Sequence, residues 1–381
     1  MSPESQNKLP ITAIFPTYNC GGRIRQHIEQ SASWLKHVDE LIVVNSYSTD
    51  GTIDAIKEAF EGSKVTILQH PRGLYESWNH GVRAASNDYI YFSTIGDIIT
   101  LDGLEKLLAT AQELGSDLVV SPPSFVADGP KLDPLTGIEW PIHTLIRELQ
   151  IKEPTIFPAR LTYDCVLIFM ERALLGSSAS NLYKTSALLK HPFSDEFFSA
   201  GDSQWLINNN FEIRLAVMPE VVSTYLFHQK DWSFDNSESE RGYWLRCTFA
   251  YGAFNTHLDH SPSFQPEVIQ LLRKIVETSV GQADEPHKGE VICIEELTGQ
   301  IAQIDPQTDK YQFTIQAMLA RSNYLIFRQR ERKYKQQLGP IRFIWPNALI
   351  NRTRKKQSKR ELRGLMRTIK KSWTALNKNN V

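Results

Sequence analysis

Five short apolar runs recur through the first third of the chain, and their spacing constrains the fold more than any other feature. They occupy residues 11–15, 41–44, 65–68, 89–93 and 117–121, and begin 24 to 30 residues apart. Each is too short for a helix, and most are rich in β-branched or aromatic residues, the mark of buried strands. Between them apolar residues recur at helical spacing: Ile24, Ile28, Ala32 and Leu35; Ile53, Ile56 and Phe60; Leu101, Leu104, Leu107 and Leu108. A strand and an amphipathic helix every ~30 residues is a βαβ unit. Runs apolar on both faces require a sheet covered on both sides. The expected fold class is α/β, with a mostly parallel sheet flanked by helices, then a helical C-terminal region and a basic tail.

Sheets of this kind bind ligands beyond the C-terminal ends of their strands. Three polar loops fall there: Pro16-Thr17-Tyr18-Asn19-Cys20-Gly21-Gly22, Asn45-Ser46-Tyr47-Ser48-Thr49-Asp50-Gly51-Thr52 and Thr94-Ile95-Gly96-Asp97. Any one of them is ordinary turn chemistry; three on one sheet edge point to binding. Tyr18 can offer a stacking face there or be a core aromatic. Asp50, just before Gly51 and the helical Ile53, reads as a helix cap. Asp97 can ligate or brace its loop, and Arg72 can meet an anion or lie in solvent.

The same loops resemble glycosyltransferase family 2, of the GT-A fold. That family opens with a strand ending in a Pro-Thr-Tyr-Asn-like turn, here Ile14 to Asn19. Its second strand ends in an Asp-Asp-Gly-Ser-Thr-Asp-Gly-Thr-like loop, here Asn45 to Thr52. The block Gly73-Leu74-Tyr75-Glu76-Ser77-Trp78-Asn79-His80-Gly81-Val82 is similar to a Gly-Ile-Tyr-Asp-Ala-Met-Asn-Lys-Gly-Ile run in one branch of the family. Thr94-Ile95-Gly96-Asp97 is similar to a degenerate form of the Asp-X-Asp motif. The resemblance covers residues 11–122, and 177–233 more loosely.

The resemblance implies an inverting glycosyltransferase that takes sugar from a UDP- or GDP-sugar to a glycan or lipid-linked acceptor in surface polysaccharide synthesis. It implies nucleotide-sugar contacts at Pro16, Thr17, Tyr18, Asn45, Ser46, Arg72 and Thr94. The diphosphate would be met by a divalent cation, Mn²⁺ or Mg²⁺, on Asp97 and His228; hard oxygen ligands suit such ions. Gly201-Asp202 at the start of an aromatic helix is similar to the family's base position, so Asp202 is the expected catalytic base, although the position also suits a helix cap. Asn45, Ser46, Thr94 and Gly96 stand where the family carries carboxylates. A GT-A-like binding or scaffold protein without turnover is therefore the alternative function.

The length of 381 residues suggests two or three domains. Residues 1–235 are expected to form the GT-A domain, with a nucleotide-binding half over 8–122 and an acceptor half over 123–235. A helical region over 236–338 follows, with helices over 240–258, 267–280 and 310–337, then a basic tail over 339–381. Prolines at 130, 134, 141, 154 and 158 suggest an irregular insertion over 128–170. Cys20, Cys165, Cys247 and Cys293 form no CxxC pair, which argues against a zinc or redox motif. No signal-peptide pattern opens the chain, and no apolar stretch reaches the ~18 residues that cross a bilayer.

A net charge of -1 hides an asymmetry. From Arg321 onward there are 18 Lys and Arg against 2 Asp and Glu, while the preceding 320 residues carry 24 against 41. In the tail Leu362, Leu365, Met366, Ile369, Trp373 and Leu376 follow helical spacing among basic residues, as in helices that lie on anionic membranes. Packing on the acidic body is the other reading. Nucleic acid is not an expected partner: no aromatic stacking platform accompanies the basic residues. The expected place is the cytoplasm, at the inner face of the membrane.

Overall fold

The structure is a computed structural model, described over residues 8–128, 140–159, 161–162, 165, 177–195, 201–228 and 346–378. The chain divides into two compact units. The first spans Met1–Ala159 and Arg172–Phe234, and the second spans Arg160–Glu171 and Asp235–Val381.

The first unit opens with β1 (Leu9–Thr17), α1 (Gly21–Leu35), β2 (Val38–Asn45), α2 (Thr52–Ala59), β3 (Thr66–Gln69), α3 (Leu74–Ala84) and β4 (Tyr89–Phe92). β1 is central: Ile11, Ala13, Ile14 and Phe15 are fully buried, so both its faces are covered. α1 buries Ile24, His27, Ile28, Ser31 and Trp34 on one face. Trp34 meets Tyr91 edge-on, with centroids 5.4 Å apart.

The unit continues with β5 (Ile98–Ile99), α4 (Leu101–Leu114), β6 (Leu118–Val120), β7 (Ser124–Asp128), α5 (Pro141–Leu149) and β8 (Thr155–Ile156). Thr100 caps α4 by accepting the Gly103 N–H, and Gly115 ends it at φ +57°. A 3-10 turn, Ser178–Ser180, leads into β9 (Asn181–Lys184), α6 (Thr185–Lys190), α7 (Gly201–Asn209), β10 (Leu215–Val217) and β11 (Ser223–His228).

Eight strands form one sheet in the order β3-β2-β1-β4-β9-β6-β10-β8. β3, β2, β1 and β4 are parallel neighbours, and β6 pairs parallel with β10. β9 runs antiparallel between β4 and β6, and β8 is an antiparallel edge. β5, β11 and β7 form a small second sheet. The mostly parallel, helix-flanked sheet is the expected one. All five apolar runs are strands of it.

Within the proline-rich stretch, the described residues 140–159 are more ordered than their prolines suggest. Pro141 stands at the first turn of α5, where its missing N–H costs nothing and its fixed φ suits a helix. Ile142, Leu145 and Leu149 then form a buried stripe. β5 and β7 carry too few residues for a period to be read from sequence.

Within the second unit the described helix is α8 (Pro346–Lys378). Leu362, Leu365, Met366, Ile369 and Trp373 are buried along it, whereas Leu376 is exposed. Lys359, Arg360, Arg363, Arg367 and Lys371 are exposed. The helices expected over 240–258, 267–280 and 310–337 lie outside the described residues.

Candidate active site

Because β1, β2, β3 and β4 are parallel, the segments after Thr17, Asn45, Gln69 and Phe92 emerge at one sheet edge. The first two are stitched together. The Ser46 N–H donates to the Thr17 carbonyl at 2.8 Å. The Thr17 hydroxyl reaches Asn45 Oδ1 at 3.4 Å, and Asn45 Nδ2 donates to Gln69 Oε1 at 2.8 Å. Asn45 Oδ1 also accepts the Ser48 N–H. Ser46 Oγ lies 3.4 Å from Ser77 Oγ on α3. Thr17, Asn45 and Ser46 are buried, and Pro16 is half-buried. These positions shape the edge more than they face a ligand. Neutral side chains suit that role, because a buried carboxylate would need a partner.

Outside them, Tyr18 is 44% and Tyr47 60% exposed. The Arg72 guanidinium carbon stands 4.6 Å from the Tyr18 ring centroid, a cation–π contact. A planar aromatic and a cation on a long side chain thus meet at the mouth of the edge. Asp50 has a structural role, but the N-cap of α2 is Gly51, without a side-chain cap hydrogen bond, and not Asp50 as its position suggests. Asp50 accepts the Thr52 hydroxyl at 2.6 Å, the Thr52 N–H and the Gly21 N–H, and the Thr52 hydrogen bond first among them holds its carboxyl below the ordinary range.

The third loop is tied inward. His27 Nδ1 accepts the Gly96 N–H at 3.3 Å. The ring proton is then on Nε2, which faces Ser93 Oγ at 3.0 Å. Burial lowers the His27 pKa to about 4, so the ring is neutral. Gly96, at φ +106°, allows the turn. Thr94 Oγ1 lies 2.7 Å from Ser178 Oγ. Asp97 is 6% exposed. Its Oδ2 accepts the Ser177 hydroxyl at 2.9 Å and its Oδ1 the Leu226 N–H at 3.3 Å. Burial pushes its pKa up to about 7.

A divalent cation does not fit Asp97 as it stands. The carboxyl is buried, both oxygens hold other donors, and burial disfavours the ionised form that a hard cation needs. Thr94, Ile95 and Gly96 add no carboxylate. Among the described residues no three His, Cys, Asp or Glu gather as a metal site. His228 ends β11, paired in register with Asp128; its side chain lies outside the described residues.

Asp202 begins α7 and is half-buried. The Tyr75 hydroxyl is hydrogen-bonded both to the Asp202 backbone and to its side chain. Burial and the neighbouring Asp202 push the Tyr75 phenol well above its ordinary range, so it remains a donor. Tyr75 lies in the first turn of α3, which follows the C-terminal end of β3. Asp202 is therefore at the same sheet edge as the three loops. α3 also grips the segment before α7: Asn79 Nδ2 donates to the Phe193 carbonyl at 2.8 Å, and Asn79 Oδ1 accepts the Phe193 N–H at 3.0 Å.

Tyr75, Asn79, His27 and Ser177 were not expected site residues. The first two had a signal: four apart on a helix, they share a face, within the block that resembles the family. His27 and Ser177 had none, because their partners are more than 65 residues away in sequence.

The profile of the family described as "Glycosyl transferase family 2" matches residues 12–165. Glycosyltransferase GlyA of Streptococcus pneumoniae serotype 4 is 30% identical over 112 residues, which is 29% of this chain and 16% of that protein. Glycosyltransferase SunS of Bacillus subtilis strain 168, derived from the SPbeta prophage, is 28% identical over 114 residues. That stretch is 28% of this chain and 27% of that protein. The chain thus spans well under half the length of both curated relatives. Among solved structures, S. aureus TarS 1–349 in complex with UDP-GlcNAc aligns over 96% of this chain and 92% of that one, with 14% identity and a TM-score of 0.48. Mannosyltransferase PcManGT from Pyrobaculum calidifontis, in complex with GDP-Man and Mn²⁺, aligns over 85% and 89%, with 15% identity and a TM-score of 0.43.

Proposed function

We propose that this chain, whose residues 12–165 match the glycosyltransferase family 2 profile, moves a sugar from a UDP- or GDP-sugar onto a hydroxyl of a glycan or lipid-linked acceptor. The transfer inverts the anomeric carbon and serves surface polysaccharide synthesis. The observation that carries this reading is the position of Asp202: a half-buried carboxylate at the start of α7, at the sheet edge where the three polar loops emerge.

In this reading Asp202 takes the acceptor's hydroxyl proton as the oxygen attacks the anomeric carbon. The bond from that carbon to the diphosphate breaks, and the nucleoside diphosphate leaves. Tyr18 offers a face to the base, while Arg72 leaves the Tyr18 ring to meet the diphosphate. Pro16, Thr17, Asn45, Ser46 and Thr94 set the shape of the nucleotide edge. A divalent cation would neutralise the leaving diphosphate. Asp97 does not fit that task in its described geometry, so no step here runs through a metal.

The catalytic domain in this reading is 1–235, with 8–122 as its nucleotide-binding half. The basic face of α8 supports an anionic membrane surface as partner, at the inner face of a cytoplasmic membrane. Its apolar stripe is buried from Leu362 to Trp373, with Leu376 alone exposed, so the contact is mainly electrostatic. A non-catalytic binding role is the second reading, favoured by the buried, uncharged Asn45 and Ser46.

Release of UDP or GDP from UDP-glucose, UDP-N-acetylglucosamine and GDP-mannose by the full chain separates the two. Turnover with one of them, lost in Asp202→Asn, supports transfer. Turnover that survives Asp202→Asn removes the base assignment, and no release from any donor favours the second reading.

A further inference from the structure

We infer that Tyr75 is a positioning residue for Asp202, its hydroxyl fixing the carboxylate at the start of α7. The inference rests on the proposed role of Asp202.

Three features converge on this pair. The Tyr75 hydroxyl meets both the backbone and the side chain of Asp202, so one group sets both the start of the helix and the carboxylate rotamer. The Tyr75 ring cannot move away. It is 3% exposed and packs on Trp78 at 5.1 Å and Phe193 at 5.4 Å between centroids. Trp78 in turn stacks on Phe92 of the central sheet at 4.1 Å. Finally, position 201 is a glycine against that ring, where a Cβ would stand 2.6 Å from Tyr75 Cδ2 and Cε2. The closeness of the ring to α7 therefore depends on the absence of a side chain beside the base.

The neighbouring chemistry leaves the hydroxyl to this task. Tyr183, the other phenol near Asp202, accepts from Asn181 Nδ2 at 3.2 Å and meets Asp202 through charge rather than a hydrogen bond. Phe193 and Trp205 add apolar surface at 5.4 Å from each other. Apolar surface disfavours a charged carboxylate, and a fixed hydroxyl donor beside it favours the ionised form. A base held in one rotamer loses less freedom when the acceptor arrives.

The test needs no substrate. The full chain carrying ¹³C-labelled aspartate is titrated by NMR, with the Asp202 carboxyl assigned against Asp202→Asn. In Tyr75→Phe, which keeps the ring, the Asp202 midpoint is expected to rise by about one pH unit. In protein carrying 3-fluorotyrosine at position 75 alone, a stronger donor of nearly the same size, the midpoint is expected to fall. An unchanged midpoint in either sample overturns the inference. The fluorinated protein reads the coupling even if Tyr75→Phe does not fold. Donor turnover by Asp202→Asn tests the base assignment separately, so Asp202 can fail as the base while its coupling to Tyr75 stands, or the reverse.

Discussion

Gly201 lies under the Tyr75 ring so closely that a Cβ at position 201 would stand 2.6 Å from two ring carbons and 2.7 Å from the Ser194 carbonyl oxygen. Gly201→Ala must therefore push apart α3 and α7, both held by packed aromatics. Overpacking of this kind costs about 1–3 kcal/mol. The melting temperature is expected to fall, and donor turnover to fall further than stability alone accounts for. A variant with wild-type stability and activity would mean that α7 can shift without consequence.

His27 and Asp97 give opposing pH dependences. The His27 pKa is lowered from 6.5 to about 4, so its contribution is present above 6.5 and is lost as pH falls toward 4. The Asp97 pKa is raised from 3.8 to about 7, so its contribution is present below 3.8 and is lost as pH rises toward 7. Each slope is about 1.4 kcal/mol per pH unit, and the two offset each other over most of the range from 4 to 6.5. Asp97→Asn is expected to gain melting temperature relative to wild type as pH rises from 4.5 to 6.5. His27→Gln is expected to gain as pH falls over the same interval. Differences of the same sign would contradict the protonation states assigned here.

Asn79 ties α3 to Phe193 through two hydrogen bonds, of 2.8 and 3.0 Å. Asn79→Ala leaves the Phe193 N–H and carbonyl without these partners, at a cost of about 1–3 kcal/mol for each group that stays buried. Denaturant unfolding is expected to show the loss, with faster amide exchange over 191–195. Protection unchanged there would show that water replaces the side chain.

The exposed basic residues of α8 are expected to bind anionic vesicles mainly by charge. Replacing Lys359, Arg360, Arg363 and Arg367 with Glu should abolish co-sedimentation with phosphatidylglycerol vesicles. High salt should release the wild-type protein, since screening shortens the reach of exposed charges to a few ångströms near 1 M. Binding that survives 1 M salt would point to insertion of apolar residues instead.

The parallel sheet was legible in the sequence because its strands are apolar on both faces and its helices keep their period. The loops at its edge were legible as a family pattern, but the roles within them were not. Asn45 and Ser46 occupy the motif positions yet lie buried in contacts with Gln69 and Ser77, partners that no local pattern links to them. Asp97 occupies the ligand-like position, but its orientation is set by Ser177 and Leu226, 80 and 129 residues away. Pro141 misled in the opposite direction, because a proline that breaks a helix interior also suits a helix start. Gly201-Asp202 is what the sequence offered for the proposed base, whereas Tyr75 comes beside it only when α3 and α7 are brought together.

Calorimetric titration of the full chain with UDP and with GDP, in EDTA and again with Mn²⁺, tests the central claim most directly. One of the two nucleotides is expected to bind in at least one condition, and Tyr18→Ala is expected to weaken that binding about tenfold, or roughly 1.4 kcal/mol. Absence of binding to both nucleotides in both conditions would contradict the assignment of this sheet edge as a nucleotide-sugar site.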